Sequence, residues 1–209
     1  VSKIATVYQA ETVPIRDGVA GNARLTGGAA VLLLILLAAE GATIPFIGPL
    51  VGPHIFIGML LIPPVLLKLG STGWRFARYY TGNPAYRRKG PPNLAMRVLA
   101  PGVVLTTLAL FASGVALAIA GRGNDTLNLL HKASFVAWFA LMTIHVLGHL
   151  LHLPELALPD WRRHGGREAQ LSGAGLRLAL LSASLLAGVG LALATLSLAG
   201  PWLSSSVGG

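Results

Sequence analysis

Histidine is the residue of this chain whose type and placement promise chemistry. His54, His131, His145, His149 and His152 fall within or at the edges of strongly apolar stretches, and His164 lies in a basic, polar segment. An ionisable side chain in apolar surroundings is costly, so it marks a candidate site by default. A neutral imidazole there is a ligand for haem iron, zinc or copper, or a hydrogen-bonding group between helices. His131 and His145 are fourteen residues apart. In a helix that spacing separates them by about 21 Å along the axis and leaves them within about 40° of one face. One helix would then present two ligands to two layers. His54 stands near the start of an earlier apolar stretch, and fourteen residues beyond it comes Lys68 rather than a histidine.

The elements that must position these residues are membrane helices. Apolar side chains make up 54% of the 209 residues and charged ones 11%, and the mean hydropathy is +0.68. Ordinary soluble domains are far more polar. A bilayer span needs roughly 20 mostly apolar residues, and residues 29–47, 51–69, 98–120, 127–151 and 176–198 qualify. The expected fold is all-α, a bundle of five transmembrane helices with a four-helix core at 26–152. A lead-in at 1–25, a linker at 153–173, a fifth helix at 174–200 and a tail at 201–209 complete the division.

The formal charge of +9 would point to nucleic acid in a soluble protein; here its distribution reads as membrane orientation, and no nucleic-acid partner is expected. Lys68, Arg75, Arg78, Arg87, Arg88, Lys89 and Arg97 cluster after the second span with no Asp or Glu among them. That loop is therefore expected in the cytoplasm. Arg162, Arg163 and Arg167, with Lys3, Arg16 and Arg24, join it there. The chain is thus expected in the cell membrane, N-terminus cytoplasmic and C-terminus outside. The first apolar run has a span's length and follows a polar stretch, so a retained helix is expected rather than a cleaved signal. There is no cysteine, which excludes thiolate-bound clusters and covalently attached haem.

With this topology the second and fourth helices run the same way, so His54 and His131 reach one depth near the outer side and can share a ligand. A porphyrin is a wide plate, and neighbouring helices need small residues at its level. Gly27 and Gly41 on the first helix, and Ala100 and Gly114 on the third, repeat the fourteen-residue spacing. Gly41 and Gly114 belong to the outer level, Gly27 and Ala100 to the inner.

In these features residues 26–152 resemble the four-helix haem-binding half of the diheme cytochromes b of respiratory and photosynthetic quinol-oxidising complexes. In that family the second and fourth helices each supply two histidines spaced as His131 and His145 are, and glycines on the first and third helices face the porphyrins. The resemblance implies that His54 and His131 hold the iron of an outer haem b and that His145 holds one side of an inner one. It also makes Gly27, Gly41 and Gly114 packing glycines, with Ala100 in the fourth place. Lys68 departs from the pattern where a second inner histidine belongs, and no counterpart of the family's quinol-site motif is evident.

One haem is expected and a second would use His145 with Lys68 or with His149. Other readings of the same residues stand beside these. Lys68 can extend its amine to the headgroups. His145, His149 and His152 can form a zinc or copper site or sit at the interface. His164 reads as a solvated loop residue. Arg75 and Arg78 at the inner level, and Arg122 and Lys132 at the outer, can pair with haem propionates or with lipid. Glu40, beside Gly41, can relay protons or stand as an interfacial carboxylate. The expected function is electron transfer through bis-histidine haem, within a membrane complex that includes a quinone or a redox partner subunit. A haem-free transporter or metal-binding protein, and a structural anchor, are the rival functions.

Overall fold

The computed structural model describes residues 18–91, 94–149 and 173–203. Lys3, Arg16, His152, Arg162, Arg163, His164, Arg167 and the linker and tail beyond these limits lie outside the described residues. Every element among them is helical: α1 (Gly18–Thr43), a 3-10 turn (Ile44–Phe46), α2 (Ile47–Tyr80), α3 (Pro84–Lys89), α4 (Leu94–Ala120), α5 (Asp125–His149), α6 (Ala174–Ala194), a second 3-10 turn (Leu196–Ala199) and α7 (Gly200–Leu203). Four continuous helical stretches are long and apolar enough to cross a membrane, and the first, Gly18–Tyr80, spans 63 residues. That stretch folds back at Ile44–Phe46 into the antiparallel pair α1 and α2. Large apolar side chains such as Ile35, Leu66, Leu105, Val136 and Leu186 are exposed, as expected of a bundle whose solvent is lipid.

Polar side chains lock the α1–α2 hairpin at its arginine-rich end. Asn22 Nδ2 donates to the Ser71 carbonyl at 3.0 Å, Thr26 Oγ1 lies 3.0 Å from Ser71 Oγ, and Lys68 Nζ donates to the Thr26 carbonyl at 2.9 Å. Residues 18–25, expected as lead-in, are therefore the first turns of α1, because Asn22 finds an acceptor on the neighbouring helix. Beyond Tyr80, the Asn83 side chain accepts from the Ala85 and Tyr86 amides and starts α3 with Pro84 at its first position, an arrangement suited to both residues. Tyr86 then donates to the Gly18 carbonyl at 3.3 Å, tying the basic segment to the foot of α1. α3 is a helix that the spacing of apolar residues does not announce.

α4 and α5 form a second hairpin. Gly121 and Gly123 take φ values of 72° and 97° in its turn, a region that glycine enters without strain. Asn124 Oδ1 accepts from the Leu127 amide at 3.0 Å and opens α5. Deeper in, buried Trp138 donates from Nε1 to Thr107 Oγ1 at 3.1 Å. α1, α2 and α6 pack as one group and α4 with α5 as another, and α2 with α4 is the main backbone contact between them.

α2 runs unbroken through Pro53, Pro63 and Pro64. Pro64 has no amide hydrogen for the Leu60 carbonyl one turn back. The bundle covers that carbonyl with α6: a Cβ built on Gly188 would stand 2.3 Å from Leu60 O. Two backbones thus approach where only hydrogen fits, and α6 closes the weak turn of α2. Gly188→Ala is expected to destabilise the bundle by about 1–3 kcal/mol through overpacking. Gly190→Ala, where nothing lies within 4 Å, should leave stability unchanged or raise it. Reversible unfolding of the two variants in mixed detergent micelles measures both, and equal midpoints would contradict this packing.

Candidate functional site

The fold brings His54 and His131 together. Their ring centroids lie 6.4 Å apart with planes at 76°, although α2 and α5 are not a closely packed pair. The hairpins thus hold their backbones apart at this level and let the two side chains meet between them. A nitrogen bound to a first-row metal lies roughly 2.0–2.1 Å from it. Two imidazoles on opposite sides of one ion therefore have ring centres about 6.3 Å apart.

Each ring is oriented by a hydroxyl on the helix paired with its own. Thr43 Oγ1 donates to the Glu40 carbonyl at 2.6 Å and lies 2.8 Å from His54 Nδ1. A hydroxyl has one hydrogen to give, and Thr43 spends it on Glu40. That leaves Thr43 to accept from His54, an arrangement that suits the Nδ1-protonated ring. The Glu40 carboxyl oxygen Oε1 lies 3.1 Å from the same nitrogen.

On the other side Ser113 Oγ donates to the Leu110 carbonyl at 3.0 Å and lies 3.2 Å from His131 Nδ1, so the same logic places a hydrogen on His131 Nδ1. Each ring keeps its Nε2 lone pair for a ligand. An orienting acceptor on the far nitrogen is the usual companion of a metal-binding histidine, fixing both tautomer and ring direction.

The small residues divide by role. Gly114 gives His131 its place, since a Cβ there would stand 3.0 Å from Cε1 and 3.3 Å from Nδ1 of the ring. Its absence of a side chain serves the ligand first. Gly41 is exposed with nothing within 4 Å, and Gly27 is buried. Ala100, half-buried on α4, lies near the depth of His145, given the register set by the Ser113–His131 and Thr107–Trp138 contacts. Gly58 lets Glu40 cross to α2, with Oε1 at 3.5 Å from the position of a Cβ. The other oxygen, Oε2, is buried without a hydrogen-bond partner among the described residues.

At the second level His145 and His149 make a T-shaped contact with centroids 4.9 Å apart. His145 Nδ1 is buried without a hydrogen-bond partner among the described residues. The Lys68 amine donates to the Thr26 carbonyl on α1. No group of three or more metal-binding side chains occurs among the described residues.

Thr43, Ser113 and the contact of Glu40 with His54 were not expected from spacing. The available signal was position: Thr43 follows Glu40 by three residues, and Ser113 precedes Gly114. Histidine nitrogen-15 spectra of the ligand-free chain should show the Nδ1-protonated form at His54 and His131. Thr43→Val should move His54 alone toward a mixture with the Nε2-protonated form, and Ser113→Ala should do so for His131. Nε2 protonation at both sites in the unsubstituted chain would contradict the assignment. No protein-family model, curated protein or solved structure matches this chain, so its functional reading rests on these residues.

Proposed function

We propose that this chain is a membrane b-type cytochrome that passes electrons through a haem held between His54 and His131. The carrying observation is the pair itself: two rings 6.4 Å apart, each with Nδ1 beside a hydroxyl that also reaches a carbonyl of its own helix. The resemblance of residues 26–152 to the diheme cytochromes b supports the same reading, as does the lack of cysteine, which leaves non-covalent haem as the form this chain can hold.

Haem, when bound, supplies one-electron transfer between ferrous and ferric iron. The protein supplies the rest. His54 and His131 would hold the iron, and ligation by two imidazoles would favour electron transfer over oxygen binding. Thr43, Glu40 and Ser113 hold the two rings in the ligating tautomer before the group arrives, so little rotamer freedom is lost on binding. A Gly114 without a side chain lets the His131 ring lie against α4. The bundle keeps the site away from bulk water.

A redox partner subunit or a quinone would complete the path. His145 is the candidate ligand for a second haem, through its unpartnered Nδ1 or the opposite nitrogen. Lys68 would have to leave Thr26 to join it, whereas His149 already adjoins its ring.

Purified with adequate haem supply, the protein should be red, with a Soret band and an α band that sharpens on dithionite reduction. A pyridine haemochrome assay should return haem b. His54→Ala and His131→Ala should each remove the haem of this pair, while Thr43→Ser and Ser113→Thr, which keep the hydroxyls, should retain it. Thr43→Val or Ser113→Ala should weaken binding by roughly 10–100-fold. A colourless preparation, or full haem content in both alanine variants at the histidines, would reject the proposal.

A further inference from the structure

The two histidines of the pair differ in what stands behind them. Glu40 and Asp125 are the acidic residues among those described, and one of them reaches the site. Glu40 Oε1 lies 3.1 Å from His54 Nδ1, with 15% of the glutamate side chain exposed. On the other hairpin the side chain beside His131 Nδ1 is the Ser113 hydroxyl, at 3.2 Å. Among the described residues, His54 alone of the pair has a carboxyl group at ion-pair distance. Resting on the haem reading above, we propose that Glu40 sets the potential of that haem through His54, holding the iron toward its ferric state.

The fold aims this carboxyl at one ring. Glu40 stands in the last turn of α1, and α2 gives it a path at Gly58, where a Cβ would stand 3.5 Å from Oε1. Gly58 follows His54 by four residues, one turn along the same face of α2. Oε2 is buried with no hydrogen-bond partner among the described residues. The hydrogen bonding of the carboxyl group therefore runs through Oε1 and His54.

The direction of the effect follows from the geometry of ligation. Thr43 and Glu40 face Nδ1 of His54, so the iron would be met by Nε2. A neutral imidazole that ligates through Nε2 carries its hydrogen on Nδ1, and Oε1 is placed to receive it. A carboxyl acceptor on the far nitrogen raises the basicity of the ligating one, and a more basic ligand stabilises ferric over ferrous iron. Burial strengthens that hydrogen bond, since little water competes for it. A hydroxyl is a weaker acceptor than a carboxylate, so His54 is the stronger electron donor of the pair and the tuning enters from the α1–α2 hairpin.

Redox potentiometry of the haem-loaded, full-length chain tests this role, with haem content and the low-spin electron paramagnetic resonance signal recorded on the same samples. Glu40→Gln, which keeps the shape but offers a weaker acceptor, should raise the midpoint potential by about 59 mV, a tenfold change in ferric over ferrous preference for a one-electron couple. Glu40→Asp, which draws the carboxyl back by one methylene, should move it the same way. Thr43→Ser, which keeps both neighbours of Nδ1, should leave it in place. Haem content and the low-spin signal should match the unsubstituted chain throughout, because the ligands stay where they are. An unchanged or lowered potential in both Glu40 variants, a rise accompanied by an altered low-spin signal, or loss of haem from both would overturn the role given to Glu40 while leaving ligation by His54 and His131 intact. An unsubstituted chain that takes up no haem would overturn the haem reading together with it.

Discussion

A hydroxyl has a single hydrogen to donate, and the site depends on where two of them go. Thr43 and Ser113 each spend theirs on a carbonyl of their own helix, so each can only accept from the histidine beside it. That arrangement suits an Nδ1 hydrogen on His54 and on His131, whose rings stand 6.4 Å apart. In a bundle surrounded by lipid, where water is scarce, such a choice is strongly held. Two independent hairpins, α1–α2 and α4–α5, arrive at the same local device.

The rest of the fold serves to bring these hairpins to the right distance. Asn22, Thr26, Lys68 and Ser71 fix the register of α1 on α2 at the far end, which sets Thr43 against His54. Trp138 and Thr107 do the same for α4 on α5, which sets Ser113 against His131. α6 contributes no ligand, yet its Gly188 covers the Leu60 carbonyl that Pro64 leaves without an amide. A proline pair in the helix that carries His54 is thereby compatible with an unbroken α2.

Much of this was legible in the sequence because lipid imposes few solutions. Apolar runs gave the helices, and the shared direction of the second and fourth brought His54 and His131 to one depth. What escaped was local and polar. Asn22, in a stretch read as lead-in, is helical because Ser71 offers it a carbonyl. α3 owes its existence to one Asn-Pro cap, a signal too short to stand out by periodicity. The acceptors for the ring nitrogens lie on neighbouring helices, and their orientation follows from tertiary register, which residue spacing within one helix does not encode. Gly114 was read as room for a porphyrin; its nearest neighbour is the His131 ring.

Electron paramagnetic resonance of the oxidised protein tests the pair most directly, because ferric haem reports both the number of nitrogen ligands and the angle between their planes. Rings held at 76° by their hydroxyl acceptors predict a low-spin signal of the strongly anisotropic kind produced by nearly perpendicular imidazoles. A high-spin, five-coordinate signal from the bound haem would show that His54 and His131 do not share the iron.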